Sequence, residues 1–363
     1  MSSAMKRTRL FEEQQKLGAV FTDFAGWELP VYYSSILKEH FAVREGAGLF
    51  DVSHMGRIRV RGSGVVQFLN ALLSRNILDQ KIGEARYALV CNPEGGVKDD
   101  IIAYHQGEDQ FLLVVNASNR EKILDWMDQN KAGPVDLDDQ TENTSLLAVQ
   151  GPRAEAVVSS IVKQDLSPVK FYTFSSGQFM GEEVVLSRTG YTGEDGFEVF
   201  VPNEKVQDLW RELLSTGQEY GILPAGLGAR DLLRLEMGYP LYGHELTEDI
   251  SPLEAGLERF VDLDKGFIGR EALLGREVRR SLVGLRLMDS GVPREGFYVY
   301  QGDRLVGQVT SGGFSPTLKS GIALALLDRT HVRYGENVDI EIRGKRKKAQ
   351  LTRIPFIEGG RGR

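Results

Sequence analysis

The sequence predicts an α+β fold in which helices and antiparallel sheets alternate along the chain and a small all-β unit closes it. Three observations predict this. Segments of strict apolar alternation sit beside segments of helical periodicity, and the turns joining the alternating segments are too short for parallel crossovers. After Gly275 only short strand-like runs separated by glycine turns remain. At 363 residues there is room for two or three cores, and 41% hydrophobic with 26% charged residues is globular composition.

Taken in order, apolar residues recur at helical spacing from Thr8 to Lys16 and from Ser35 to Glu45. Pro30 and paired tyrosines mark an irregular segment between them, so the opening reads as helix, loop, helix. RIRVRG alternates and reads as a strand, VVQFLNALLS as a helix, and RYALVCN, PEGG and VKDDIIAY as a hairpin. FLLVVN extends that sheet before NREKILDWMDQ returns to helix, which makes residues 56–144 one α+β unit. SLLAVQGPRAEAVVSSIV then reads as a strand followed by a Gly-Pro helix start, and SRTGYTGEDGFEVFVP as two strands around a tight loop. KVQDLWRELLS is helical. SLVGLRL, YVYQG, RLVGQVTSG, SGIALALL and VDIEIRG form a small β-sandwich or barrel.

Composition excludes several classes. Apolar runs such as LLAV and IALALL are far too short to cross a bilayer, and MSSAMKRTRLFEEQQK lacks a signal-type apolar stretch, so the chain reads as soluble and cytoplasmic with no membrane role. The single cysteine, Cys91, rules out an internal disulfide and any multi-cysteine metal site; it reads as a buried apolar residue rather than a nucleophile. No two of the five histidines have the spacing of paired helical ligands, so no metal is expected. A formal charge of −7 argues against a nucleic-acid surface, although residues 341–363 carry eight basic residues against two acidic ones. RGKRKKAQ reads as a solvated hairpin, with a docking patch for an acidic partner as the alternative.

Three segments can carry chemistry. In VKDDIIAY, adjacent aspartates enter a strand, where Asp is disfavoured. Alternation puts Asp99 with Val97 and Ile101, and Asp100 with Lys98, Ile102 and Tyr104, so at most one carboxylate faces a given pocket. In residue terms alone, hydrogen bonds to turn backbone are the favoured explanation for the pair. In SRTGYTGEDGFEVF, three glycines let backbone approach a ligand, Tyr191 offers a stacking face, and carboxylates follow at 194, 195 and 198. A planar heterocycle with adjacent N–H donors suits that mixture, since a carboxylate accepts both in a fork; a solvated glycine-rich hairpin is the plainer reading. In PAGLGARDLLRLE, Arg230 and Arg234 lie one turn apart on a helix, with Arg230 set near the unfavourable end of the dipole. Each needs a carboxylate, from the protein or from a ligand.

The order of DFAGWELPVYY, AVREGAGLFDVSHMG, EGGVKDDIIAY, AVQGP, SRTGYTGEDGFE, PAGLGARDLLRLE, FIGREAL and TSGGFSPTLKSGIALA closely resembles the folate-binding T-protein superfamily, and within it the aminomethyltransferases of the glycine cleavage system, from about Lys6 to Phe356. The resemblance implies three domains around a central folate-binding opening: residues 1–55 with 145–274, an inserted unit 56–144 carrying the catalytic aspartate, and a C-terminal β-barrel or jelly-roll at 275–363. It implies a reaction in which an aminomethyl group on the lipoyl arm of the carrier H-protein gives its methylene to tetrahydrofolate, releasing ammonia, with tetrahydrofolate as co-substrate and neither metal nor flavin. It further implies that Asp100 is the catalytic carboxylate, that Glu198 grips the pterin with Arg230 on the folate side, and that Tyr87, Tyr104, Tyr191 and Tyr239 line the pocket. Met55 and Asn116 are implied as lesser contacts and Arg361 as the C-terminal residue reaching the folate.

Two positions depart from the family pattern. Lys98 stands where relatives carry an apolar residue and either lowers the Asp100 pKa or points outward; Phe171 replaces a tyrosine. Rival readings are a folate-dependent demethylase of the same superfamily and its non-catalytic branch serving iron–sulfur proteins and tRNA modification. The latter carries a cysteine where this chain has Phe267 in DKGFIGRE. The folate domain of an amine dehydrogenase would need a flavin-binding half for which no residues remain.

Overall fold

A computed structural model describes residues 5–360. Its first element after the helix Phe11–Lys16 is a two-stranded ribbon, Val20–Phe24 against Trp27–Tyr32, where the sequence predicted a loop. Ala25 and Gly26 both take positive φ, 52° and 78°, the backbone of a type I′ turn whose twist suits a hairpin. Alanine in the first of those positions hides the turn from sequence rules. Pro30 is tolerated because an isolated ribbon has an unpaired side for a residue without an N–H. Ser35 then caps the helix Ile36–Glu45, its side chain accepting from Lys38 N at 3.2 Å.

Two sheets follow from interleaved chain segments. One has six strands in the order Phe174–Phe179, Glu182–Ser187, Gly196–Pro202, Thr144–Gln150, Ala47–Asp51 and Ile222–Pro224; only its last pair is parallel. The other has five, Ala85–Cys91, Val97–Gly107, Gln110–Val115, Gly56–Arg61 and Asp136–Asp139, all antiparallel. The helix Val206–Thr216 covers the larger sheet with Val206, Leu209, Trp210 and Leu213, the i, i+3, i+4, i+7 stripe legible in KVQDLWRELLS.

The C-terminal strands, Arg280–Leu287, Tyr298–Gln301, Arg304–Ser315, Ser320–Asp328, Asn337–Ile342 and Lys345–Thr352, form a closed barrel. Closure leaves no unpaired edge and decides between the sandwich and the barrel that the sequence allowed. RGKRKKAQ covers the turn at Arg343 and Gly344 and most of the last strand, with Glu341 opposite Arg346 and Asp339 opposite Lys348.

Two apolar clusters tie these bodies together. Phe50, Val52, Tyr104, Leu112, Phe200, Ala229 and Leu233 join the two sheets and the helix Leu227–Glu236. Leu89, Cys91, Val97, Leu246, Phe267, Leu282, Ile322 and Leu324 join the aspartate hairpin to the barrel. Cys91 is fully buried there, and burial pushes its thiol up to about 12, so it is not a nucleophile. The G-x-G of PAGLG serves packing: a Cβ on Gly226 would lie 2.4 Å from Val31 O, so glycine lets the helix start against the ribbon.

Candidate functional site

Asp100 stands on the strand Val97–Gly107 directly opposite Leu89, with Tyr87 at the diagonal position on the neighbouring strand. Diagonal neighbours on one face are within reach of a long aromatic side chain, and Tyr87 Oη donates to Asp100 Oδ2 at 3.0 Å. Burial raises the Tyr87 phenol well above its usual value, and the Asp100 charge adds to it, so Tyr87 is a neutral donor. Its ring packs edge-on against Phe260 at 4.7 Å.

The structure changes the account of the aspartate pair. Asp99 serves backbone not at the hairpin turn before it but at the end of the next strand: it is fully buried and accepts from Asn116 N at 3.1 Å, and also from Asn116 Nδ2 at 2.8 Å and Asn119 Nδ2 at 2.6 Å. Asn116 Nδ2 also donates to Asp100 Oδ1 at 2.7 Å. The carboxylates thus share one amide although alternation sends them to opposite faces. Asn116 can do this because it follows the end of the adjacent strand Gln110–Val115, where the chain turns into the helix Arg120–Asn130. Burial raises both carboxyl pKa values, and the charge of Asp100 raises Asp99 further, while the Asn116, Asn119 and Tyr87 donors act the other way. Lys98 is turned to other partners: its Nζ lies 3.3 Å from Glu248 Oε2 and 4.5 Å from the Trp126 ring centroid.

A second carboxylate comes from the larger sheet. Glu198 is buried on the strand Gly196–Pro202 and accepts from Thr189 Oγ1 and, at 3.4 Å, from Tyr104 Oη. Tyr104 reaches across from the aspartate strand and is held edge-on by Phe174 and Phe200, at 5.6 and 5.3 Å. That one strand therefore connects Asp100 to Glu198. Burial lowers the Arg230 pKa, and the nearby Tyr191 and Glu198 offset that only in part.

The two arginines of PAGLGARDLLRLE separate. Arg234 is buried and spent on Asp231, on Glu245 at 3.1 Å and on Ser311 Oγ at 2.8 Å. Among the described residues Arg230 makes no ion pair; its guanidinium carbon sits 4.8 Å from the Tyr191 ring centroid. Tyr191 stacks on Tyr239 at 5.8 Å and donates its hydroxyl to Pro240 O. Arg230 is therefore a guanidinium on an aromatic stack with its donors available to an anion.

Met55 is half-buried against the cluster that contains Tyr104. Arg361 lies outside the described residues. Phe171 is 47% exposed and packs edge-on against Tyr172, whose ring belongs to the Tyr104 cluster. Sequence reasoning missed Thr189, Asn119, Tyr172 and Phe260. Thr189 had a signal, since it lies inside SRTGYTGEDG, but nothing in the sequence pairs Asn119 with an aspartate twenty residues away. No group of His, Cys, Asp and Glu among the described residues is placed to hold a metal ion.

Residues 10–265 match the family described as the GCVT N-terminal domain, and residues 280–358 match the glycine cleavage T-protein C-terminal barrel domain. The chain belongs to the glycine cleavage T-protein family. The aminomethyltransferase of Thermoanaerobacter pseudethanolicus is 47% identical over 98% of this chain and 98% of its own, and that of Bacillus subtilis is 44% identical over 98% and 99%. The crystal structure of glycine cleavage system aminomethyltransferase T from Bartonella henselae superposes with a TM-score of 0.92 at 33% identity, covering 98% of this chain and 99% of that one. The match runs through both sheets and the barrel, so T-protein membership covers the whole site and not one motif of it.

Proposed function

We propose that the chain is the aminomethyltransferase of glycine cleavage, acting in the cytoplasm on tetrahydrofolate and on the aminomethylated lipoyl arm of the H-protein. One methylene forms bonds to two folate nitrogens while its C–S and C–N bonds break; the two folate N–H protons end on the departing sulfur and nitrogen, giving dihydrolipoyl carrier and ammonia. The observation that carries this reading is the placement of a single partly accessible carboxylate, Asp100, on the same strand as Tyr104, whose hydroxyl bonds Glu198. In this assignment Glu198 takes the N–H edge of the pterin and Arg230 a carboxylate of the folate. Tyr191 and Tyr239 stack beside them, and Met55 contributes apolar wall. Asp100 takes a proton from nitrogen as it attacks, or stabilises the cation formed as ammonia leaves. The reading also assigns residues 1–55 with 145–274, 56–144 and 275–363 as the three domains.

The test is turnover. With tetrahydrofolate and aminomethylated carrier the protein should release ammonia and methylenetetrahydrofolate in equal amounts; release no faster than without protein would sink the proposal. Asp100→Asn should keep folate binding and lose on the order of 10²- to 10⁴-fold in kcat, the range for a positioned acid–base group.

A further inference from the structure

Two arginines outside the assigned machinery converge on one aromatic ring beside the transfer site. Arg75 follows the helix Val65–Leu72, and Arg259 lies in the single helical turn Glu258–Phe260. Bonds from Ser74 Oγ to Phe260 O and from Asp262 N to Ser74 O hold the two segments together. The guanidinium carbons of Arg259 and Arg75 sit 4.5 and 5.6 Å from the Phe260 ring centroid. That ring packs on Tyr87, whose hydroxyl bonds Asp100, so one aromatic pair separates the arginines from the carboxylate assigned to proton transfer.

The protein gives these two cations no counter-ion. Among the described residues neither makes an ion pair, and Asp79 and Glu84, from the adjoining turn, are taken by Arg86 at 2.5 and 3.3 Å. Arg75 reaches Tyr87 O at 3.4 Å, a long bond that leaves most of its five donors unused. Nor is Arg75 needed at the end of its helix, where Asn70 O and Leu73 O accept from Lys265 Nζ. Burial, then the Arg86 charge, press the Arg75 pKa below the usual arginine value; Arg259 adds to this, and the nearby Tyr172 and Asp79 offset it only in part. Like charges gathered at a half-buried place are unfavourable until an anion joins them.

We propose that Arg75 and Arg259 form a carboxylate subsite for the γ-linked glutamyl tail of the folate. The inference rests on the reading of tetrahydrofolate as co-substrate with its reacting nitrogens at Asp100. Arg230 accounts for one carboxylate, whereas tetrahydrofolate carries two and each further γ-linked glutamate adds one. A tail leaving past Tyr87 meets the half-buried Arg75 and the exposed Arg259, a pair suited to a flexible chain of repeated carboxylates. The lipoyl arm offers no such group, because it is an uncharged chain ending in an amine. The subsite therefore selects folates by tail length.

The test is the affinity of the whole protein for 5-formyltetrahydrofolate, a folate that is not turned over, as monoglutamate and as triglutamate in titration calorimetry. Wild-type protein should bind the triglutamate about tenfold more tightly, and the gap should narrow at high salt. In the double variant Arg75→Gln with Arg259→Gln the two affinities should lie within about twofold. Arg279→Gln removes a similar charge from an exposed pair with Glu277 and should keep the wild-type ratio. Equal affinities in the wild type, or a ratio that survives in the double variant, would overturn the proposal. So would a double variant that raises the carrier KM at an unchanged ratio, since the arginines would then serve acidic groups of the carrier. If the double variant does not fold, Arg259→Gln at its exposed position decides, and there the ratio should fall about threefold. Wild-type protein that binds neither folate would remove the proposed function, and the subsite with it; a loss of tail discrimination alone removes only the subsite.

Discussion

Tyr87 Oη donates to Asp100 Oδ2 across 3.0 Å, from the strand beside the one that carries the aspartate. A neutral donor on a carboxylate favours its ionised form, so Tyr87 works against the burial that raises Asp100. Tyr87→Phe keeps the ring on Phe260 and removes only the hydroxyl. The Asp100 pKa should rise by about one unit, and the acid limb of kcat should move to higher pH by the same amount. A pH series of kcat at saturating folate checks this, and an unmoved limb would show that the bond does not persist in the working enzyme.

Glu198 is assigned the pterin edge, and Gln at that position retains an oxygen for Thr189 and Tyr104 while losing the charge and one acceptor. Glu198→Gln should therefore fold normally and bind tetrahydrofolate about 10- to 100-fold more weakly, the value of one charge-assisted hydrogen bond. Titration calorimetry measures it; an unchanged Kd would place the pterin elsewhere.

Arg230 and Arg234 are one turn apart on one helix and should respond oppositely to the same substitution. Arg234→Met strands Glu245 as a buried anion and should destabilise by roughly 3–5 kcal/mol in denaturant unfolding. Arg230→Met leaves no protein carboxylate unpaired, so unfolding should change little while the folate KM rises. Similar stabilities for the two variants would contradict the assignment of Arg234 to structure and Arg230 to ligand.

Glu236 is buried in the helix Leu227–Glu236, bonded to His40 at 2.9 Å, Arg44 at 2.7 Å and Ser315 at 2.5 Å. Burial alone would raise its pKa; His40, Arg44 and Ser315 together outweigh it and hold the carboxyl at about 2. The folded value lies below the unfolded one near about 4.3, so Glu236 stabilises the fold above that value and the contribution disappears as pH falls toward about 2. Wild-type unfolding free energy should decline more steeply than that of Glu236→Gln between about pH 5 and pH 2. Parallel declines would mean that another group governs acid sensitivity here.

Much of the site was legible because its residue types are costly where they stand. Two aspartates in a strand, a glycine-dense loop with a buried acid, and an arginine against a helix dipole each ask for a reason, and the structure brings Asp100, Glu198, Arg230 and their tyrosines to the junction of two sheets. Less legible were groups whose role comes from a partner far along the chain. Asn116 read as a minor ligand contact until the strand end placed its amide between two carboxylates. The Val20–Tyr32 ribbon was hidden because its turn uses Ala25 rather than a residue that favours positive φ.

By itself the sequence determined most of the helices and strands, though not the Val20–Tyr32 ribbon or the short strands Asp136–Asp139, Phe174–Phe179 and Ile222–Pro224; it also determined that the pairing inside residues 56–144 is antiparallel, and that Asp99 and Asp100 leave the strand on opposite faces. Those are local consequences of period, turn length and the pleat. Only the tertiary structure decided that the last strands close into a barrel, that Lys98 turns to Glu248, that Arg234 is spent while Arg230 is not, and that one asparagine joins the two aspartates again. Each of these depends on which groups lie within about 3 Å across segments distant in sequence, a distance that packing sets and residue order alone does not.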